Sequence, residues 1–585
     1  MTNVIISPAE QASIECMNQV FDAINHNRNF LVEAGAGAGK TYTLIKALRE
    51  LIKDRSKEYL RTNRQIACIT YTNVAKDEIK SRTDNHPVVF SETIHAFCWH
   101  LIKDFQKDLR RLISSLGDRW TERIDEVGGV GERYVDYNLG YPKIYDTSIS
   151  LHHDDVIKLM TKLMSVAKFR RIVESRFPVI LIDEYQDTNK DLADAIVANF
   201  IETGTGPQVG FFGDHWQKIY GSKSCGLITA TPERMTVIGK QANFRSERLI
   251  VESLNKIRPE LQQHFSDPDS VGEIHIFHSN GYDGERRTGQ HWNGDLPENI
   301  AHDYLETTKA LLEQNGWSFG PATTKILMLT NNVLANEQGY SDLIGVFSDN
   351  DDILKKNDDY INLLSDVVEP GAEAFEAGRY GEMLKVFNIK APKITKHTDK
   401  KVWHDDMTML LEARQTKTIG DVIDLLKTTY KPRLSKRVYD KEVSYAAALA
   451  KPVEAREEQE TELINKIKSI RDLPYEQLIN AVKYIDDKTL YSTKHGVKGA
   501  EFENVLIVFG RGWNQYNWNE MLELANGGEN NIPVARQGAF ERNRNLFYVA
   551  CSRPKKRLAL LFTQELTGPA IAQLEYWFGN NIIQI

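Results

Sequence analysis

Cysteine is scarce in this chain: five residues in 585, Cys16, Cys68, Cys98, Cys225 and Cys551. No two of them form a C-x-x-C pair, which argues against a zinc ribbon or a disulfide framework and leaves ordinary buried thiols. Long apolar runs are missing as well. No stretch approaches the roughly 20 residues a membrane span needs. The first residues lack the basic-then-apolar order of an export signal, so the expected location is the cytoplasm. Basic charge is not in excess, since 73 Lys and Arg stand against 81 Asp and Glu for a net −8. There is no solenoid repeat and there are only 18 prolines. What remains is a globular chain, 41% apolar, with room for about four domains or subdomains.

Against that background one run stands out: Ala34-Gly35-Ala36-Gly37-Ala38-Gly39-Lys40-Thr41. It follows a short apolar strand, Phe30 to Val32, and opens a helical pattern. Small residues let successive backbone N–H groups close around a polyphosphate, Lys40 can reach the β and γ phosphates, and the Thr41 hydroxyl can sit on Mg²⁺. The first position is Ala34 where the general pattern has Gly. A second element is Val179-Ile180-Leu181-Ile182, a continuous apolar run of the kind buried on both faces of a parallel sheet. It delivers Asp183-Glu184-Tyr185-Gln186-Asp187 at its carboxyl end, where ligands meet open α/β sheets. Asp183 is placed to hold Mg²⁺ and Glu184 to polarise an attacking water. Two acids after a strand are in themselves as compatible with a solvated loop; the upstream phosphate loop is what gives them chemistry.

Further blocks follow in order. Gly213-Asp214-His215-Trp216-Gln217-Lys218-Ile219-Tyr220 comes after the strand pattern Val209 to Phe212, and Asn243-Phe244-Arg245-Ser246 lies beyond it. Ser7-Pro8-Ala9-Glu10-Gln11 reads as N-cap, first helical position and capping box. Thr70-Tyr71-Thr72-Asn73, Thr93-Ile94-His95-Ala96-Phe97, Thr493 to Phe502, and Tyr548 to Arg553 complete the set. In kind, order and spread these blocks resemble UvrD/Rep/PcrA-type superfamily 1 helicases. The resemblance implies an α/β protein of two RecA-like parallel-sheet motor domains, a P-loop NTPase with a helical insertion in each and with ATP and Mg²⁺ between them.

The resemblance also implies roles. Gln11 would recognise adenine, Phe244 would stack on it, Glu501 would lie near the ribose, and Gln217 would link the γ phosphate to the DNA side. Arg245 and Arg553 would be the two arginines that stabilise charge on the γ-phosphoryl oxygens. Tyr71, Thr93, His95 and His495 would face single-stranded DNA, Tyr71 through its π face. One departure matters. After Gly221, relatives present Trp then Arg, whereas this chain has Ser222 and Lys223; the base-stacking platform is missing or moved, with Trp216 and Tyr220 as the aromatic candidates nearby. Ser552 stands where Thr is usual.

Motif spacing places a first motor domain at residues 1–98 and 150–250, with a small, polar, helical insertion at 99–149. A second spans 251–340 and 485–585, with a helix-rich insertion at 341–484. Phe547 to Ala550 reads as strand-like, and Glu454 to Lys468 as a solvent-facing helix. Within the insertion, Lys390, Lys393, Lys396, Lys400 and Lys401, then Lys431, Arg433, Lys436 and Arg437, form two basic segments, either a duplex or partner contact or a solvated face. Two functions are compatible with this pattern. One is a 3′–5′ translocase and helicase on single-stranded DNA and single–double strand junctions, in repair or anti-phage defence. The other is a DNA-sensing, nucleotide-gated subunit controlling a partner nuclease. Size and layout are similar to the helicase-like subunit of Gabija anti-phage systems, which works beside an OLD-type nuclease with a TOPRIM domain. The chain runs only a short way past Arg553, so no appended nuclease of the RecB type is expected.

Overall fold

The computed structural model describes residues 6–138, 142–219, 221, 223–329, 331–390, 394–494, 496–510 and 515–585. Two six-stranded sheets, every strand pair in them parallel, organise the chain as expected of two RecA-like lobes. In the first, the spatial order is Val89–Thr93, Ile66–Thr70, Val179–Asp183, Gln208–Gly213, Asn29–Ala34, Met235–Lys240. In the second it is Tyr491–Thr493, Thr324–Met328, Phe502–Phe509, Pro554–Phe562, Glu273–His278, Ile582–Gln584.

The continuous apolar strands behave as two-sided strands must, sending alternate side chains to opposite faces. In the first lobe Ile66, Cys68, Val179, Leu181, Phe30 and Val32 enter one core with the helices Pro8–Asn25 and Lys40–Arg61. Ala67, Ile69, Ile180, Ile182 and Leu31 enter the other, beneath the helices Ile94–Ile102 and His153–Met164. The second lobe repeats the scheme, with Ile326, Leu506 and Leu561 on one side and Leu327, Ile507 and Leu560 on the other.

Residues 335–482 carry a helical core of their own, including Leu343, Tyr360, Leu410, Ile423 and Leu478. The helix read from charge spacing is present as Glu458–Arg471. Lys431 pairs with Asp406 and lies 4.9 Å from the Trp403 ring centre, while Arg437 sits 3.4 Å from Asp359, so part of the basic segments is engaged within the insertion itself. Lys393 lies outside the described residues.

Two local readings are corrected. The first insertion is not helical throughout: beyond the helices Gln106–Ile113 and Asp118–Glu126 it forms a small sheet from Tyr134–Asp136, Lys143–Ile144 and Ser148–Ser150. Phe547 to Ala550 is not a strand but the buried last turns of the helix Val534–Cys551. A helix end sunk in the core on all sides has no polar face, and so reads like a strand. Among the described residues no helix is long and apolar enough to cross a membrane, and all five cysteines are free thiols.

Candidate functional site

Three neighbouring strands end at one place on the first sheet. Asn29–Ala34 leads into the glycine-rich loop, Gln208–Gly213 delivers Asp214, and Val179–Asp183 delivers Asp183 and Glu184. The loop turns at Gly37 (φ +74°) and Gly39 (φ +73°), left-handed conformations that glycine adopts without a side-chain clash. At Gly35 and Gly37 the reason is also contact. A Cβ at Gly35 would lie 2.7 Å from Gln263 Nε2, and one at Gly37 would lie 2.7 Å from Asn243 Oδ1. The helix Lys40–Arg61 has no side-chain cap at Gly39, which leaves its first-turn backbone N–H groups available to an anion at the loop.

Lys40 Nζ lies 2.5 Å from Glu184 Oε1 and 4.0 Å from Asp183 Oδ1. Burial opposes its charged form, but the two carboxylates outweigh burial and raise its pKa. Glu184 is half-buried; desolvation opposes its charged form, yet Lys40 and Lys498 hold it down at about 2. Asp183 moves the other way, pushed up to about 6 by burial, with the Glu184 charge adding to it. Glu184 has φ +50°, a left-handed conformation that strains a non-glycine residue. The Asp183 carboxylate and the Thr41 hydroxyl are hard oxygen donors at the same loop and strand end, the chemistry Mg²⁺ takes.

From the far side come the Asn243–Ser246 block, at the end of the 150–250 stretch where the first lobe meets the second, and Arg553 of the second lobe. Phe244 N–H donates to the Gly37 carbonyl (2.9 Å), fixing the Asn243–Ser246 block to the loop. Arg245 Nε donates to Glu501 Oε2 (3.2 Å) and Nη1 to the Ser552 carbonyl (2.9 Å). Arg553 is 1% exposed. Its hydrogen bonds go to neutral acceptors, the carbonyls of Val549 (2.8 Å) and Ala500 (3.3 Å) and the Ser552 hydroxyl (2.9 Å). Burial, with Arg245 beside it, lowers its pKa to about 9, and the charges of Glu184 and Asp214 are near enough to act in opposition. Arg553, with Arg245 beside it and only neutral hydrogen-bond acceptors of its own, creates a strong demand for an anion between the lobes. The lobes are also tied directly: Lys498 Nζ reaches Asp187 Oδ2 at 2.6 Å, and Ala36 N–H donates to the Tyr548 hydroxyl (3.4 Å).

Beside the loop lies a cavity of about 970 Å³ lined by Ile14, Met17, Gly39, Tyr42, Lys240 and Phe244 among others. Phe244 is 44% exposed and offers its ring there. Gln11 does not line this cavity; its amide donates to Glu15 Oε1 (2.8 Å) on the exposed side of a helix whose capping box, Ser7 with Glu10, forms as read. Lys240 is a buried lysine with no carboxylate partner among the described residues, bonded to the Gly39 carbonyl (3.1 Å) and the Thr43 hydroxyl. Burial lowers its pKa to about 8. The unfolded chain then binds more protons than the folded one between about pH 8 and the ordinary lysine value, so wild-type stability rises with pH across that window. Lys240→Met is therefore expected to raise the melting temperature by a few degrees below pH 8, with the gain vanishing as pH rises through the window. Thermal scans of both proteins from pH 6 to 10 check this.

Gln217 is buried, its amide donating to Asp214 Oδ2 (2.8 Å). Glu501 also pairs with Lys555 (2.6 Å). The DNA-side candidates lie along the same carboxyl edge, away from the loop: Thr70 and Thr93 are in register on adjacent strands, followed at once by Tyr71, 51% exposed, and by half-buried His95. Tyr220 and His495, with Ser222, lie outside the described residues. Trp216 is not the displaced platform. It is 3% exposed, with the Arg544 guanidinium 3.7 Å from its ring centre and Tyr548 packed edge-on, so no base can stack on it in this arrangement. Sequence reading missed Glu33, Lys240 and Arg258. Only Glu33 left a signal, an acid inside an apolar strand.

Two family models match: an AAA domain over residues 18–223 and a UvrD-like helicase C-terminal domain over residues 301–565. The chain belongs to the UvrD-like superfamily 1 helicases, P-loop ATPases of two RecA-like lobes. Within that family it is similar to the Gabija protein GajB of Bacillus cereus, 25% identical over 95% of this chain and 96% of that one. It is 25% identical to the ATP-dependent DNA helicase Rep of Escherichia coli, over 48% of each chain. It is 24% identical to the ATP-dependent DNA helicase PcrA of Staphylococcus aureus over 39% of this chain and 37% of that one.

Proposed function

We propose that the protein hydrolyses ATP in the crevice between its lobes and uses the cycle to move 3′ to 5′ along single-stranded DNA. The observation that carries the ATPase reading is the pairing of a glycine-turned loop and Lys40 on one lobe with Arg245 at the junction of the lobes and Arg553 on the other. In this reading the loop amides and Lys40 bind the β and γ phosphates, and Phe244 receives the adenine. Asp183 and Thr41 would hold Mg²⁺, which when bound neutralises phosphate charge. Glu184 takes a proton from the attacking water, Gln217 senses the γ phosphate, and the two arginines stabilise the charge that spreads over it. Lys40 must leave Glu184 for the phosphates as ATP enters, which frees the carboxylate for its task. Closure that seats Arg553 also shifts Tyr71, Thr93 and His95 against the second lobe, converting turnover into a step.

The buried Trp216, with Ser222 where relatives carry a stacking Trp, supports a second reading. There ATP turnover on DNA gates a partner, for which resemblance suggests an OLD-type nuclease with a TOPRIM domain, and little duplex is opened. ATP hydrolysis with and without single-stranded DNA, beside strand displacement on 3′- and 5′-tailed duplexes, separates the two. Displacement on the 3′ tail is the expected result for a motor; DNA-stimulated hydrolysis without displacement favours the gate. In both, DNA affinity is expected to fall about tenfold or more between 50 and 200 mM salt, because phosphate contacts dominate non-specific binding. A titration indifferent to salt would remove DNA from the account.

A further inference from the structure

Beneath the crevice, one guanidinium joins groups from both lobes and takes no part in the mechanism above. Arg258, 1% exposed, follows the helix Arg248–Ile257. It donates through Nη1 to Asp214 Oδ1 (2.6 Å), through Nη2 to Glu33 Oε1 (2.7 Å) and through Nε to Glu260 Oε1 (3.2 Å). Its faces meet two aromatic rings, Trp216 with its centre at 5.4 Å and Tyr548 at 5.8 Å. Glu33, Asp214 and His215 bring oxygen and nitrogen ligand atoms within 4.8 Å of one another, but the guanidinium bonds both carboxylates, so the cluster is a cation site already filled by the chain.

What those carboxylates do next gives the cluster its meaning. Asp214 Oδ2 accepts from the Gln217 amide (2.8 Å), and Asp214 N–H donates to Gln186 Oε1 (3.0 Å). Gln186 Nε2 in turn donates to Glu184. Glu33 accepts from the Tyr185 hydroxyl, next in sequence to Glu184, and lies 2.6 Å from His215 Nδ1. Tyr548 belongs to the second lobe, on the helix that ends just before Arg553, and its hydroxyl accepts from Ala36 N–H of the phosphate loop. We propose that Arg258 is a positioning residue for ATP hydrolysis, aiming Gln217 and Glu184 through Asp214 and Glu33 only while the Tyr548 ring of the second lobe lies over its guanidinium. Lobe closure is thereby felt at the water-polarising side of the site as well as at the arginine side. A lysine at this position carries the charge but cannot hold both carboxylates in one plane.

This inference rests on the ATPase reading, and the test uses the full chain with Lys40→Ala as its blank. Turnover on single-stranded DNA is measured for R258K, Q217A and the double variant. R258K is expected to lower kcat about ten- to a hundredfold with KM for ATP within about threefold, an interaction made in the transition state rather than on binding. The double variant is expected to lose clearly less than the product of the two single losses, since Arg258 acts partly through Gln217 and partly through Glu184. Losses that multiply would overturn the proposal, because a merely structural arginine costs the same with or without Gln217. Should R258K fail to fold, Y548L and Y548F decide. Y548L is expected to reproduce the kcat loss and Y548F, which keeps the ring, to recover most of it; equal rates in the two overturn the proposal. Absence of Lys40-dependent turnover in the unaltered protein overturns the ATPase reading and this inference with it.

Discussion

Replacing Arg553 by alanine is expected to cut ATP turnover by on the order of 10³, the magnitude carried by an arginine that meets a transferring phosphoryl group. The setting explains so large an effect. Arg553 is 1% exposed and its hydrogen bonds end on two carbonyls and a hydroxyl. Its charge is therefore poorly compensated inside the protein, and burial has already drawn its pKa down to about 9. A group held in that state binds an incoming anion far more strongly than a solvated arginine would, because no water must be stripped at the moment of reaction. The loss should fall on kcat, with KM for ATP changed by less than about tenfold, since loop amides and Lys40 supply most of the ground-state grip. Single-turnover hydrolysis with equilibrium nucleotide binding measures both. Turnover in Arg553→Ala within a few fold of the parent would remove the two-lobed catalytic site.

Glu184→Gln should separate binding from chemistry. Glutamine keeps the volume and the contact to Gln186 but cannot accept the proton of the attacking water, so hydrolysis is expected to fall about 10²- to 10⁴-fold. ATP should bind at least as tightly as before. In the free protein Lys40 is held by Glu184 at 2.5 Å, and that ion pair must break before the ammonium can turn to the phosphates. Removing the carboxylate removes the competition. A variant that loses ATP binding along with hydrolysis would show instead that Glu184 serves to hold Lys40 in place, and the assignment of the water to Glu184 would have to be given up.

Lys498 and Asp187 illustrate how much of the site is non-local. They are 2.6 Å apart in a bridge between the lobes, yet more than three hundred positions separate them in the chain, and neither motif announces the other. The same holds for Arg258, which meets Glu33 and Asp214 from a loop with no pattern of its own. Trp216 was legible as an aromatic beside a missing platform. Its fate, buried under Arg544 and Tyr548, depends on a helix from the other lobe. Gln11 shows the converse: the capping box that fixes its helix was plain in Ser7, Pro8 and Glu10, while the direction of the amide depended on Glu15, one turn on.

Local chemistry was decided by sequence alone. Glycines at positions 35, 37 and 39 before Lys40 dictate a phosphate loop, and the apolar run at 179–182 dictates a central strand with acids at its carboxyl end, because backbone sterics and burial on both faces admit few other outcomes. Tertiary structure alone decided which charges face each other across the crevice. Pairwise electrostatics depends on distances of a few ångströms and on the dielectric between the groups, and those quantities come into being only when two lobes, each with its own sheet and core, close on the same space.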